Sequence, residues 1–575
     1  MRYSWRMGFL CAHRSWAGAL TCVFLLLVPL SPCVARMPAA SSAASLLPAP
    51  FRDTIERGIA NGAYASLAVG MIEGKRQETF YFGHRDGANS KPADDQSAFE
   101  IGAISEIFTG LLLAQCAIEG KLRLSDTIEK FLPAPFPFVD AHTGKITLGQ
   151  LAAHHSELPA QAANLFPDDL DDPYAGYGAE DLLALLAFQR NVGNPDEAST
   201  RYGYSVLDAG LLGHLLARVL RMPLGEALAA KVFAPLGLTR VTFADDTTLL
   251  PGHAHGGRAP HWHYGALAGA AGLRTTLPDL LAFLQRNLTP DDSPLRAALL
   301  LARQPYASGP ADQIGLGWNV RVIVDGKATW PLVWRASRTA GFASFVGFRI
   351  DQQKAIVLLG NSAEDVAALG MSWLNGSLPP SPPHGSTATV RLDEYPGLYR
   401  IAAGVDAIVR AENEALSLQM PGQLPIRLRA ADRDVFVSES GAVGATFIRS
   451  IDDVTGLLLR MGASNISAAR LSERAPFLER KPISNAGSPP ASFAGDYRLD
   501  DDTWIRIGDS AQGPTVQWTL GPRRRIFSYA IDRYADADGV IDLQVKRDRG
   551  GRAASLVLNL AGTPRQAVPL RGNSP

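Results

Sequence analysis

The side chains best suited to covalent chemistry in this chain are the hydroxyls of Ser105, Ser205 and Ser337. A serine hydroxyl becomes a nucleophile when a neighbouring base accepts its proton. No lysine or histidine lies close to Ser205 or Ser337 along the sequence. The sequence around these two therefore favours inert hydroxyls, and Ser105 is considered separately below.

A second group with chemical potential consists of four histidines, His253, His255, His261 and His263. Each pair would lie on one side of an extended strand, a spacing that zinc can use. No acidic residue or cysteine lies between them to complete a ligand set. Surface or packing histidines are the favoured interpretation, and no metal site is predicted.

A longer pattern surrounds Ser105. The stretch from Phe99 to Gly110 reads Phe-Glu-Ile-Gly-Ala-Ile-Ser-Glu-Ile-Phe-Thr-Gly, and it resembles the active-site helix of serine β-lactamases and penicillin-binding proteins. In that family the segment reads F-x-I-G-S-x-x-K-x-F-T-G, in which the serine attacks and the lysine takes its proton. The resemblance aligns Ala103 with the nucleophile and Glu106 with the lysine. Because alanine cannot attack a carbonyl, the chain resembles an enzyme family but lacks its reacting atoms.

The other two catalytic motifs of the family are also altered. The family's Y-x-N corresponds to Tyr204, Ser205 and Val206, so the tyrosine is kept while the amide is replaced by a side chain that cannot hydrogen-bond. The family's K-T-G or H-x-G motif is replaced by a segment from Arg335 to Ser337, whose arginine is always protonated and cannot act as a base. The vestigial positions are Ala103, Glu106, Tyr204, Val206, Arg335 and Ser337.

A displaced nucleophile is the main alternative to loss of activity. Ser105 follows the family's serine position by two residues, which turns its hydroxyl roughly 200° around a helix. We therefore expect Ser105 to face away from the cleft. A serine hydrolase of esterase, D-peptidase or β-lactamase type that uses displaced residues remains the alternative function.

At the two positions where the family has cleft cations, this chain has one carboxylate and one arginine. Glu106 and Arg335 occupy those positions and should form a salt bridge, since a buried glutamate without a partner costs several kcal/mol. One interpretation is a structural pair that fills a pocket without activity. The other is that Arg335, beside Tyr204, binds a carboxylate-bearing or peptide-like ligand that the protein does not cleave.

Further family landmarks support the resemblance over roughly residues 50–365. The phrase from Ile146 to Pro159 resembles the family's I-T-I-x-x-L-L-T-H-T-S-G-L-P, with Glu157 where glycine is usual. The apolar residues that follow Ser105 predict a buried central helix. The resemblance implies no cofactor.

Length and composition indicate the number of domains and the class of protein. The chain has 575 residues, 46% hydrophobic residues, 19% charged residues and a net charge of −1, which suggests two to four domains and no nucleic-acid partner. Arg2, Arg6 and Arg14 precede an apolar run from Trp16 to Leu30, which predicts a signal peptide over residues 1–36. A periplasmic or secreted location follows, and an uncleaved membrane anchor is the alternative.

The mature chain is predicted to divide into three parts. Alternating helical and strand patterns span residues 49–376, a proline-rich linker spans residues 377–392, and short strand patterns follow over residues 393–482 and 493–575. Each strand-rich part opens with a similar phrase, from Tyr395 to Arg400 and from Phe493 to Arg498. The repeated opening predicts two copies of one small β-barrel, similar to the barrels of the D-aminopeptidase branch of the family.

These observations predict the fold and a function. The fold class is an α/β (α+β) β-lactamase/penicillin-binding-protein fold with two C-terminal antiparallel β-barrel domains. The expected role is a catalytically inactive binding or scaffolding module, with a possible envelope protein partner at the barrels. The first domain is expected to contain a self-contained core, so that a chain ending near Gly376 should fold.

Overall fold

The structure is a computed structural model. It describes residues 44–570 apart from residues 88, 190–201, 246, 255–256, 290–294, 326–327, 381–389, 403–404, 413–414, 439–442, 451–452, 462–463, 473–491, 501–502, 511–512, 538–539 and 561–562. The predicted signal peptide lies outside the described residues, as does the central part of the predicted linker. None of the helices in the described part has both the length and the apolar composition needed to cross a membrane.

The first domain is built around an antiparallel sheet. Its strands, in chain order, are β1 (Ser66–Glu73), β2 (Arg76–Gly83), β3 (Ala98–Glu100), β4 (Gly252–Ala254), β5 (Gly257–Ala259), β6 (Arg274–Thr276), β7 (Ala307–Ser308), β8 (Gln313–Ile314), β9 (Asn319–Asp325), β10 (Ala328–Arg338), β11 (Ala343–Arg349) and β12 (Lys354–Gly360). The main sheet has eight strands in the order β2-β1-β12-β11-β10-β9-β8-β7. Strands β3 and β6 form a separate pair, as do β4 and β5.

Helices cover both faces of the sheet. They are α1 (Ala49–Ala60), α2 (Ser105–Ile118), α3 (Leu148–Ala152), α4 (Ala179–Phe188), α5 (Val206–Leu220), α6 (Leu224–Leu228), α7 (Ala234–Leu236), α8 (Ala268–Ala271), α9 (Leu277–Leu288), α10 (Arg296–Ala302) and α11 (Ala367–Asn375). Strand side chains alternate between the two faces. In β12, Val357 belongs to the core that contains α2, while Leu358 belongs to the core that contains α1 and α11.

Two closed antiparallel barrels follow the first domain, and they confirm this part of the predicted fold class. Barrel 1 comprises β13 (Gly397–Ala402), β14 (Val405–Glu412), β15 (Ala415–Gln419), β16 (Ile426–Asp432), β17 (Val435–Ser438), β18 (Val443–Ser450), β19 (Asp453–Met461) and β20 (Ser464–Ser472). Barrel 2 comprises β21 (Gly495–Arg498), β22 (Trp504–Ser510), β23 (Gly513–Trp518), β24 (Arg524–Ala530), β25 (Arg533–Asp536), β26 (Asp542–Arg547), β27 (Ala553–Leu560) and β28 (Thr563–Pro569).

The repeated opening phrases have the same local geometry in both barrels. In barrel 1 the Tyr399 hydroxyl donates to the Tyr395 carbonyl oxygen at 2.7 Å. In barrel 2 the Tyr497 hydroxyl donates to the Phe493 carbonyl oxygen, also at 2.7 Å. All four side chains are buried in their barrel cores. The phrase therefore marks a structural repeat, as the sequence predicts.

Barrel 2 packs directly against the first domain. Trp504 is 4% exposed and belongs to the core of the first domain, where its ring meets that of Phe188 edge-on at a centroid distance of 6.3 Å. The Leu520 amide donates to the Leu165 carbonyl oxygen at 2.9 Å. The core of the first domain thus includes an aromatic side chain of barrel 2, and folding of a chain that ends near Gly376 stays a prediction.

Candidate functional site

The vestigial nucleophile position lies at the start of the buried helix α2. A short 3-10 turn from Gly102 to Ile104 leads into the helix, and Gly102 has a φ of +49°, a backbone conformation that glycine adopts easily. The Ala103 amide donates a hydrogen bond of 2.6 Å to the Oγ atom of Ser337 on β10. The Ser337 side chain therefore lies against the backbone of the vestigial nucleophile.

Ser105 points elsewhere, as the helical geometry predicts. Its side chain is fully buried, and its Oγ atom accepts a hydrogen bond from the Leu273 amide at 3.0 Å. Ser105 is thus bonded to the segment that precedes β6 rather than to Glu106 or Arg335. Ser205 is likewise buried, and its hydroxyl donates to the Pro159 carbonyl oxygen at 2.6 Å.

Glu106 is the centre of the site. Its Oε2 atom contacts the Arg335 guanidinium and the Nε2 atom of His154, the latter at 3.0 Å. Its Oε1 atom accepts a hydrogen bond from the Tyr204 hydroxyl at 2.8 Å. The predicted salt bridge between Glu106 and Arg335 is confirmed, and both side chains are at most 5% exposed.

The ion pair extends through His154 to a second carboxylate that the motif analysis missed. The Nδ1 atom of His154 lies 3.3 Å from Asp208 Oδ2, and Asp208 also accepts a hydrogen bond from the Ser156 hydroxyl. Asp208 is the third residue of α5, just beyond the Tyr204 motif. Arg335, Glu106, His154 and Asp208 thus form a buried row of alternating charge, which we call the charge row.

The protonation states follow from this arrangement. Burial alone would lower the pKa of His154, but the Glu106 and Asp208 carboxylates outweigh it and raise that pKa to about 9. Burial would raise the pKa of Glu106, but Arg335 and His154 lower it below its ordinary value. Burial raises the pKa of Asp208 despite its contact with His154. Because both ring nitrogens face carboxylate oxygens, we take His154 as the imidazolium.

The remaining predicted residues flank the charge row. Tyr204 is 39% exposed, and the Arg335 guanidinium lies 5.6 Å from the centroid of its ring. Val206 is buried in the first-domain core, and its amide donates to the Ala160 carbonyl oxygen at 3.1 Å. The structure thus brings Tyr204 and Arg335 together. Binding of a carboxylate ligand by this pair stays a prediction.

Glu157 occupies a backbone position suited to glycine. Its φ is +60° and that of His154 is +58°, which is the left-handed region that most side chains avoid. The family phrase has glycine at the position of Glu157, and the backbone explains why. The chain retains the local fold of this segment although the residue type has changed.

The described histidines of the candidate zinc group contact separate carboxylates. His253 lies 3.2 Å from Asp86, and His261 lies 2.9 Å from Glu100. His263 contacts both Asp172 and Asp245. His255 lies outside the described residues. Within the described part, no three histidine, cysteine or acidic side chains are grouped in a way that could hold a metal ion.

Comparison with known proteins identifies related sequences that cover the length of the first domain and, for one relative, a longer part of the chain. A family model described as β-lactamase matches residues 51–374. A β-lactamase of Pseudomonas fluorescens is 26% identical over 342 residues, covering 54% of this chain and 91% of that protein. A penicillin-binding protein of Bacillus subtilis (strain 168) is 21% identical over 429 residues, covering 68% of this chain and 91% of that protein.

Solved structures give a similar match. A β-lactamase/D-alanine carboxypeptidase from Pseudomonas syringae aligns with a TM-score of 0.49 and 22% identity, covering 56% of this chain and 95% of that chain. A class C β-lactamase from Rhodobacter sphaeroides aligns with a TM-score of 0.47 and 22% identity, covering 54% of this chain and 94% of that chain.

Proposed function

The chain belongs to the β-lactamase family of serine hydrolases, and from this premise we propose that it is a catalytically inactive member that acts as a binding or scaffolding module. The observation that carries the proposal is the state of Glu106. The family has a lysine base here, beside a serine. In this chain Ala103 stands at the serine position, and both oxygens of Glu106 are engaged by Arg335, His154 and Tyr204.

The contact between Ser337 and Ala103 also supports inactivity. Acyl transfer requires space and backbone donors next to the nucleophile, where negative charge develops on the carbonyl oxygen. Here the Ala103 amide is already bonded to Ser337 Oγ. A substrate carbonyl at that amide would have to displace the hydroxyl, which leaves little room for a tetrahedral intermediate.

The proposal includes a location and a partner. The basic and apolar N-terminal sequence supports export to the periplasm or the exterior, in keeping with a family of bacterial envelope enzymes. A protein partner in the envelope is proposed to bind the barrels. Because closed barrels have no free strand edge, such a partner would contact loops and outer side chains rather than add a strand.

Covalent labelling tests the absence of acyl transfer. The mature protein is incubated with fluorescent penicillin and, separately, with a fluorophosphonate probe, and adducts are sought by gel fluorescence and intact-protein mass spectrometry. We expect no adduct, because the nucleophile position carries a methyl group. An active serine β-lactamase labelled in parallel controls for probe quality.

The Ser105→Ala variant makes the labelling experiment decisive. An adduct on the unmodified protein that disappears in Ser105→Ala would establish a displaced nucleophile and overturn the proposal. Hydrolysis of nitrocefin or p-nitrophenyl esters well above a heat-denatured sample would overturn it as well.

A further inference from the structure

A cavity lies where the two barrels meet the first domain, and none of its lining residues belongs to the charge row. Its volume is about 530 Å³. Barrel 1 contributes residues of β14 to β17, and the first domain contributes Gln161 and Leu170. Barrel 2 contributes Asp500, Thr503, residues 518–522 and Arg565. Cavities of several hundred Å³ at domain interfaces are common binding sites for small molecules. We call this space the junction cavity.

Apolar side chains form much of its wall. Leu424, Pro425 and Ile426 come from barrel 1, and Trp518 and Leu520 come from barrel 2. Trp518 is only 6% exposed, so its indole forms part of a buried surface. Such a wall favours the apolar body of a ligand, and an aromatic ring matches an indole neighbour well.

Ser417 supplies a buried hydroxyl to this wall. The neighbouring Leu416 and Leu418 are fully buried in the core of barrel 1, so the alternation of β15 directs Ser417 outward from that barrel. Ser417 lines the junction cavity and is 3% exposed. Its Oγ atom has no hydrogen-bond partner among the described residues. Buried hydroxyls are normally bonded, so this one is available to a ligand.

Glu412 supplies a second unsatisfied acceptor. One of its oxygens contacts Arg524, which also binds Asp536 at 3.0 Å. The other oxygen, Oε1, is buried without a hydrogen-bond partner in the described part of the chain. One guanidinium is therefore shared between two carboxylates, and Glu412 keeps one oxygen atom for a hydrogen-bond donor beside the cavity.

The cations in the wall are already engaged. Arg565 lies 3.0 Å from Asp500, and both residues line the cavity. Arg427 also lines it and interacts with another group of the protein. Ser417 Oγ and Glu412 Oε1 are thus the acceptors of this wall that are left for a ligand in the described part of the chain.

We propose that the junction cavity binds a small molecule with an apolar, ring-containing body and an amino or amide head that donates hydrogen bonds to Ser417 and Glu412. The site is independent of acyl transfer and of the vestigial positions. It would give the barrels a ligand-binding role in addition to any protein partner.

Three small molecules that share an indole ring and differ in the head group are tested against the full-length protein. Tryptamine, indole-3-propionamide and indole-3-propionate are titrated by isothermal calorimetry and by saturation-transfer NMR. We expect the amine and the amide to bind, and the carboxylate to bind at least about tenfold more weakly, because it meets Glu412 with like charge. Equal or tighter binding of the carboxylate, or no binding of any probe, would overturn the proposal.

Variants that fill the cavity localise the binding. Ser417→Met and Thr503→Phe add bulk from barrel 1 and barrel 2, and either should weaken tryptamine binding at least about tenfold. Ser467→Met is the matched control, because Ser467 is exposed on β20 of barrel 1. Melting curves identify the filled variants that remain folded. Unchanged tryptamine affinity in a folded filled variant would mean surface binding and would contradict the proposal.

Discussion

The Oγ atom of Ser337 lies 2.6 Å from the backbone nitrogen of Ala103, so a side chain of β10 closes the space beside the first turn of α2. The family has glycine at the position of Ser337, as the motif alignment indicates. The same hydroxyl would lie 2.2 Å from a Cβ atom built on Gly102. The two segments are thus fitted to each other through Ser337, which restricts what can be restored at Ala103.

Restoring the motif residues should not restore activity. The variant Ala103→Ser, Glu106→Lys, Val206→Asn, Arg335→His supplies the family's groups, but catalytic groups must be held to about 0.5 Å. The new lysine would also face His154, and Ser337 would still occupy the Ala103 amide. We expect nitrocefin and p-nitrophenyl ester turnover close to background.

Adding Ser337→Gly to that variant provides a matched comparison. Because Ser337 obstructs the Ala103 amide, the variant with all five substitutions should exceed the variant with four in turnover or in labelling by fluorescent penicillin. Rapid turnover by the variant with four substitutions would contradict the view that the site has been remodelled.

Removing the central carboxylate should destabilise the protein. Glu106→Ala leaves Arg335 and His154 as buried cations without their shared partner, so the free energy of unfolding should fall by about 3 kcal/mol or more. Chemical denaturation measures the change. Glu56→Ala is the control, because Glu56 is exposed on α1 and should change stability by about 0.5 kcal/mol or less. A Glu106→Ala protein as stable as the parent would contradict the role assigned to the pair.

Stability should decline as the pH rises from 6.5 towards 9. In this window folded His154 retains a proton that the unfolded chain has released, because the folded pKa is raised to about 9 from 6.5. The unfolded state therefore binds fewer protons and the free energy of unfolding falls with pH. At about 1.4 kcal/mol per pKa unit, the loss is at most roughly 3–4 kcal/mol.

Denaturation at several pH values between 6 and 10 measures this loss. The contribution is fully present below pH 6.5 and disappears above about pH 9. His154→Gln should flatten the profile in this window, since glutamine has no proton to lose. A parent protein whose stability is constant from pH 6.5 to 9 would rule out a buried imidazolium at His154.

The first domain should depend on barrel 2 for part of its stability. In the full chain, Trp504→Ala should destabilise the protein by about 3–5 kcal/mol, because it opens a cavity in a packed core. Trp330→Ala is the control, since Trp330 is 42% exposed on β10. A chain ending at Gly376 should bind the dye ANS and melt at a lower temperature than the full chain. Equal melting temperatures would show that the first-domain core is self-contained.

Much of the fold follows from local sequence patterns. The apolar residues from Ile107 to Cys116 predict the buried helix α2, and the phrases at Tyr395 and Phe493 predict two similar barrels. These features depend on residues close together in the chain. The contact between Glu106 and Arg335 was also predictable, because the family motifs bring those two positions together and their charges are opposite.

His154 and Asp208 were missed for a physical reason. Each lies within or just after a family motif. The motif predicts a role only for its catalytic positions, and neither residue occupies one. Their role appears only when α3 and α5 bring the two side chains to within 3.3 Å of each other. A buried acidic residue on the apolar helix α5 was the available signal. Trp504 gave no such signal, because its packing partner Phe188 lies in another domain.

The position of Trp504 in the chain also affects the order in which the domains fold during synthesis. Chains emerge from the ribosome from the N-terminus onward, and early domains usually fold first. Here Phe188 packs against Trp504, which is synthesised only after all strands of barrel 1. The first domain therefore reaches its final packing late, when barrel 2 docks. A nascent chain stalled before Trp504 would lack the side chain that covers Phe188 in the complete fold.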